Sequence, residues 1–156
     1  MPPIICVVGA SGSGKTTLIE GLIAGLSAKG YFVGAVKHHY HGDFEIDHEG
    51  KDTWRHARAG AKSISISSPT MFALIKRVPD ELTLDEIAAY MEDRDVIPAD
   101  GFTRSDKPRI VIVTKEGDVT DFGRGRKVVA TIRDPSDGEG LAVLIDAVEA
   151  IIRSGR

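Results

Sequence analysis

The chain has 156 residues, of which 42% are hydrophobic, 28% charged and 6% aromatic. That is enough for one domain, expected over 1–156, burying roughly two-thirds of its unfolded surface and unlike disordered, collagenous or disulfide-rich compositions. A net charge of −3 argues against a coat for nucleic acid or membrane, so neither is expected as a partner, and the lone Cys6 excludes an internal disulfide framework and suits a reducing compartment.

The opening Met1-Pro-Pro-Ile-Ile-Cys-Val-Val-Gly9 has no basic leader and reads as a first strand. No apolar run approaches the roughly 20 residues that span a bilayer, so the expected location is cytoplasmic. Ile4 to Val8 is a continuous apolar run stopped by Gly9, the pattern of a strand buried on both faces of a parallel sheet. From Thr16 to Lys29, Leu18, Leu22 and Leu26 recur beside Ile19 and Ile23 as one helical stripe, ended by Gly30. Tyr31 to Lys37 reads as a second strand, giving a βαβ-type opening. A polar loop (38–50), a short helix (52–59) and two strand-like stretches (62–67, 70–76) follow. Thr83-Leu-Asp-Glu86 has capping-box spacing for a helix to about Met91. A strand then leads to Asp100, although Pro98 is unusual inside a central strand. Arg109–Thr114 and Val128–Ile132 read as further strands, the first turning at Glu116-Gly-Asp118. Leu141, Leu144, Ile145, Val148, Ile151 and Ile152 mark a closing amphipathic helix. The expected fold is α/β and P-loop NTPase-like, a mostly parallel sheet flanked by helices with some antiparallel strands.

Gly9-Ala-Ser-Gly-Ser-Gly14-Lys15-Thr16 fits G-x-x-x-x-G-K-[ST] between a buried strand and an amphipathic helix. Glycines let the backbone curl so that successive N–H groups face an anion, and the helix N-terminus adds its partial positive charge. The phosphate-binding set is therefore Gly9, Ala10, Ser11, Gly12, Ser13, Gly14, Lys15, Thr16 and Thr17, with Lys15 expected on the β/γ-phosphates and the Thr16 hydroxyl on Mg²⁺. Such a site needs a second acidic group at a strand end, and Asp100 before Gly101 is the candidate.

All five histidines (His38, His39, His41, His48, His56) fall within nineteen positions. In an extended segment Asp43, Glu45 and Asp47 share one face and Phe44 and Ile46 the other. Asp43 or Asp47 is expected to orient water, or these groups to bind Mg²⁺. Imidazoles also suit Zn, Ni or Cu, but the spacing matches no structural zinc pattern. Residues 63–100 carry a net −5 and residues 101–133 a net +4. Within the positive segment Arg104, Lys107, Arg109, Arg124, Arg126 and Lys127 read as a cationic lid, a patch for a phosphate-bearing ligand or partner, or a solvated basic face.

Taken together, the phosphate loop, Val36-Lys37-His38 with His41, the Asp43–Asp47 alternation, Gly50-Lys51-Asp52-Thr53, Arg55-His56, Ala59-Gly60-Ala61 and Asp100-Gly101-Phe102 resemble the molybdopterin-guanine dinucleotide biosynthesis adapter family, MobB. The resemblance covers most of the chain and is strongest over residues 4–75. It implies a dimeric, GTP-binding P-loop protein with weak GTPase activity that assists the guanylyltransferase attaching GMP to molybdopterin. It also brings Lys37 and His38 into the nucleotide site and admits a molybdopterin-type ligand. The family usually reads Glu-Gly-Phe-Lys where this chain has Asp100-Gly101-Phe102-Thr103. Guanine preference is implied by the resemblance alone, because Thr114-Lys115-Glu116-Gly117 departs from Asn/Thr-Lys-x-Asp and places Asp118 one residue late. Other candidate base readers are Arg133-Asp134-Pro135-Ser136-Asp137. A small-molecule kinase and a metallochaperone GTPase are the alternative readings.

Overall fold

A central strand of a parallel sheet covered on both faces has no position to spare for a polar side chain, and β1 (Ile4–Val8) meets that demand with five buried residues. The structure, a computed structural model, describes residues 1–41 and 44–155. It divides into two units, Met1–His38 with Leu84–Arg156 and His39–Thr83.

The first unit is a five-stranded parallel sheet of order β2-β5-β1-β6-β7, with β2 (Val36–Lys37), β5 (Ile97–Asp100), β6 (Arg109–Ile112) and β7 (Val128–Ile132). Alternation along β1 divides its side chains between two cores. Ile5 and Val7 join α1 (Lys15–Ala28) and α5 (Gly138–Ser154) through Leu18, Leu22, Leu26, Leu144, Val148 and Ile152. On the other face Ile4, Cys6 and Val8 meet Leu84 and Ala88 of α3 (Leu84–Ala88), with Val111 and Ala99. A 3₁₀ turn, Ala89–Met91, continues α3, so the helix expected from Thr83 to Met91 forms with a tightened last turn.

The chain differs from the sequence expectation in two places. Over Tyr31–Lys37 only Val36–Lys37 forms a ladder, with a single bridge from Val33 to Val96. The preceding residues serve other ends: the Tyr31 N–H closes α1 on the Leu26 carbonyl, and the Phe32 N–H is held by Asp95 Oδ2 at 2.8 Å. The expected turn at Glu116-Gly-Asp118 is instead the start of α4 (Asp118–Gly123), a crossover that returns the chain to β7 parallel to β6.

Pro98 is accommodated within β5. The Val96 and Asp100 carbonyls accept from Gly34 and His38 N–H groups on the β2 side, whereas the Ile97 N–H donates to Pro3 on the other. Alternation thus turns the Pro98 nitrogen toward β2, opposite the break between its Val33 bridge and Val36–Lys37 ladder, where no N–H is required.

The second unit contains α2 (Asp52–Arg58) and an antiparallel pair, β3 (Ser63–Ser67) with β4 (Phe72–Lys76). Gly60, at φ +113°, ends α2 in the left-handed conformation. Ser68 Oγ accepts from the Thr70 and Met71 N–H groups to close the hairpin.

Candidate nucleotide-binding site

All five strands of the sheet are parallel, so their C-terminal ends open on one edge, where ligands of open α/β sheets bind. The segment 9–14 leaves β1 there and enters α1. Gly12 at φ +73° and Gly14 at φ +88° take the left-handed conformation that the curl requires, and Gly14 is the N-cap of α1 without a side-chain cap. The free N–H groups of the first helical turn therefore belong to this loop. Lys15 Nζ donates to the carbonyls of Gly9 (3.2 Å) and Ala10 (2.7 Å), which sets the ammonium inside the loop. Ser13 Oγ is buried without a hydrogen-bond partner among the described residues. Ser11, Gly12, Thr16 and Thr17 are exposed.

The neighbouring strand supplies the acid. Val7 is paired with Asp100, and Lys37 with Asp100 on the other side. Asp100 is buried, 8% exposed, and its Oδ2 accepts from Lys37 Nζ at 2.8 Å. Lys37 is itself largely exposed, so this ammonium can exchange partners at low cost. Gly101 (φ +88°) and Phe102 (φ +53°) then reverse the chain. A left-handed phenylalanine is strained; its ring packs against the second core and stands 4.9 Å from the His38 ring, centroid to centroid. Lys37, His38 and Asp100, separated by more than sixty positions, thus meet at the edge that carries the phosphate loop.

Asp47 lies in the 39–83 unit, where its Oδ1 accepts from Thr53 Oγ1 (3.0 Å) and the His48 N–H (2.8 Å). Asp43 falls outside the described residues. Among those described, no group of three or more His, Cys, Asp or Glu is arranged to hold a metal ion, and no helix is long and apolar enough to cross a membrane.

The basic segment 101–133 is partly turned inward. Arg109, 1% exposed, donates to the Thr103 (3.1 Å), Phe122 (2.7 Å) and Ser105 carbonyls. Burial lowers its guanidinium pKa, although an arginine stays protonated. Its role is to fasten the loop after Asp100 to α4. Lys107 pairs with Asp85 at 2.7 Å, and Arg126 donates to the Arg104, Ser105 and Arg124 carbonyls. Lys107, Arg109 and Arg126 hold structure, so the reading of this segment as one open cationic lid gives way to a smaller set of surface cations. Nothing in the sequence separated Arg109 from its exposed neighbours.

Asp118 was legible only as a near miss of a base-reading motif. It is fully buried, and its Oδ2 accepts from the Thr114 N–H (2.7 Å), the Thr114 hydroxyl (2.9 Å) and the Lys115 N–H (2.9 Å). The Lys115 and Thr114 N–H groups hold its carboxyl below the usual range. A third element closes the site from the β7 side: a Cβ placed on Gly14 would lie 2.8 Å from Pro135 Cγ, so the loop after β7 rests on the end of the phosphate loop.

The family model MobB, Molybdopterin guanine dinucleotide synthesis protein B, matches residues 4–134. The chain belongs to the MobB family. Among curated MobB relatives, the Molybdopterin-guanine dinucleotide biosynthesis adapter proteins of Haemophilus influenzae and Escherichia coli are 34% and 36% identical over 116 residues. These alignments cover 73% and 72% of this chain but 65% and 66% of those relatives, so the chain spans just under two thirds of their length. A crystal structure of molybdopterin-guanine biosynthesis protein B superposes with a TM-score of 0.77 at 29% identity, covering 96% of this chain and 99% of that one. The Bacillus subtilis MobB crystal structure gives 0.73 at 28%, covering 95% and 96%. The mostly parallel, helix-flanked sheet with its small antiparallel pair is the P-loop NTPase-like MobB fold.

Proposed function

We propose that this MobB chain is a GTP-binding adapter with slow GTPase activity, acting as a homodimer to assist the guanylyltransferase that attaches GMP to molybdopterin. The observation that carries the reading is the convergence on one sheet edge of a glycine loop with Lys15 inside it and a buried Asp100 held by Lys37. Glycine-loop N–H groups and two ammonium groups suit a triphosphate. The names of the relatives supply the biosynthetic setting.

The residues present also suit Mg²⁺, a hard ion that takes oxygen ligands: Thr16 offers a hydroxyl and Asp100 a carboxylate, and a bound Mg²⁺ would neutralise charge on the β/γ-phosphates. A divalent cation has to compete with Lys37 for Asp100, which makes the Lys37–Asp100 pair the point where metal and lysine exchange. The chain contains no glutamine, so water can be oriented only by other groups, among them Asp43 and Asp47; slow hydrolysis is the corresponding expectation. The second unit supports the homodimer. Ile66, Met71 and Phe72 are 59%, 70% and 65% exposed, and a two-stranded hairpin is marginal in water without cover.

Calorimetric titration with GTP, with and without Mg²⁺, tests the site. Lys15→Ala is expected to weaken GTP binding by about a hundredfold or more, on the order of 3 kcal/mol, with an unchanged melting profile. Asp100→Asn is expected to remove most of the Mg²⁺ dependence. Unaltered GTP affinity in Lys15→Ala would refute the reading. Co-elution with a molybdenum cofactor guanylyltransferase, with and without GTP, tests the adapter role.

A further inference from the structure

A site that separates guanine from adenine must accept hydrogen bonds from the N1–H and the 2-amino group, two donors that adenine does not present at that edge. Asparagine and glutamine are absent from this chain, so among side chains a carboxylate is the strongest acceptor for the task. Three aspartates stand where the chain leaves β6 and β7 at the phosphate-loop edge, Asp118 as the first residue of α4 and Asp134 and Asp137 in the loop before α5, and their hydrogen bonds tell them apart. Asp118 is fully buried and committed to the Thr114-Lys115 turn. Asp137 caps α5, with Oδ1 accepting from the Glu139 N–H and Oδ2 from the Gly140 N–H. Asp134 is exposed: its Oδ1 accepts from the Ser136 N–H (2.8 Å) and hydroxyl (2.6 Å), and its Oδ2, with no partner among the described residues, is open to solvent or a ligand.

The loop carrying Asp134 is also the one seated on the phosphate loop. Pro135 lies against Gly14, the Asp137 N–H donates to the Asp134 carbonyl at 3.1 Å, and the Asp137 cap fixes the start of α5. Asp134 therefore sits in a hydrogen-bonded turn one residue from the contact with the phosphate loop. The Ser136 hydroxyl and N–H hold its carboxyl below the usual range.

We infer that Asp134 is the specificity-determining residue of the nucleotide site, its free Oδ2 accepting from the N1–H and 2-amino donors of a guanine base. The inference rests on the nucleotide-binding reading and goes beyond it by naming the group that selects the base. Ser136 is a positioning residue that aims the carboxylate.

The test is a calorimetric panel of GTP, XTP and ATP against the full chain, Asp134→Asn and Asp137→Asn. Asparagine at 134 keeps an acceptor for Ser136 and puts an NH₂ where Oδ2 stood; it opposes the guanine donors and matches the C2 carbonyl of xanthine. The full chain is expected to prefer GTP over ATP by at least about tenfold, and Asp134→Asn to weaken GTP by roughly ten- to a hundredfold while ATP changes less than about twofold and the XTP:GTP ratio rises. Asp137→Asn is expected to lower the melting temperature and leave the GTP:ATP ratio unchanged. A full chain that binds GTP and ATP equally, an unchanged GTP:ATP ratio in Asp134→Asn, or an equal change in Asp137→Asn would each overturn the assignment while the phosphate site stands. Absence of binding to all three nucleotides would overturn the nucleotide-binding reading together with it.

Discussion

The two units of the chain solve the burial problem in opposite ways. Among the described residues, every buried apolar side chain, from Ile4 to Ile152, belongs to the sheet unit, and none falls between His39 and Thr83. The 39–83 unit instead exposes Phe44, Ile46, Ile66, Met71, Phe72 and Leu74. A five-stranded sheet with helices on both faces is a complete hydrophobic solution; a hairpin with one short helix is not. The difference separates two kinds of work. The self-sufficient unit can hold the glycine loop 9–14 between β1 and α1, whereas the 39–83 unit leaves apolar side chains uncovered.

The largest expected effect comes from treating both units alike. Leu22→Ala, at a position 1% exposed between the sheet and α5, is expected to cost about 2–5 kcal/mol in urea unfolding. Phe72→Ser in the hairpin is expected to shift unfolding of the sheet unit by less than about 0.5 kcal/mol but to shift sedimentation from dimer toward monomer. Comparable stability losses from the two substitutions would erase the contrast. A Phe72→Ser protein that sediments as the parent does would remove the hairpin as the self-association face.

A smaller effect probes how closely the sheet unit is packed. Gly21 and Gly25 stand one turn apart on α1, facing α5. A Cβ on Gly21 would lie 2.7 Å from Leu141 Cδ2, and one on Gly25 would overlap Ile145 Cδ1. Helix propensity alone favours alanine over an interior glycine by about 1 kcal/mol. Overpacking costs about 1–3 kcal/mol, so Gly25→Ala is expected to destabilise by on the order of 1 kcal/mol. A stabilised Gly25→Ala protein would show that α1 and α5 have room to move apart.

This contrast was only half visible beforehand. The first strand, both long helices, the strand at Asp100 and the hairpin strands were legible because hydrophobic period and glycine punctuation are local signals. The glycine loop between β1 and α1 was legible because its motif has a fixed spacing. The Lys37–Asp100 pair was visible as two separate candidates, since only the parallel register of β2, β5 and β1 joins them. The inward turn of Arg109 was not legible: its partners are carbonyls of Thr103, Ser105 and Phe122, and a backbone acceptor leaves no residue-type trace. The seat of Pro135 on Gly14 was hidden for a different reason, being a packing contact between loops at opposite ends of the chain.

The smallest expected effect tests a polar fastening that the sheet unit carries in addition to its cores. Glu149 of α5 accepts from Lys29 just past α1 and from Tyr31 at 3.0 Å, while Lys29 also reaches Asp146 at 3.2 Å. Lys29 and the Tyr31 hydroxyl pull the Glu149 carboxyl below its ordinary 4.5, and Glu149, then Asp146, raise the Lys29 ammonium above its ordinary 10.5. A carboxylate with a depressed folded pKa contributes stability that is complete above 4.5 and is lost as pH falls through the folded value; the raised Lys29 contributes below 10.5 and loses its share as pH rises through its own folded value. Between those limits the pair is intact. Glu149→Gln is therefore expected to lower urea stability modestly at pH 7 and to differ less from the parent at pH 3, below the ordinary 4.5 at which the unfolded chain's carboxyl takes up its proton. Raising the salt concentration at pH 7 should shrink the difference as well, because Lys29 is partly exposed. A gap between Glu149→Gln and the parent that is the same at pH 3 and pH 7 would show that Glu149 acts through packing on α1, and the two cores would then account for the sheet unit without this ion pair.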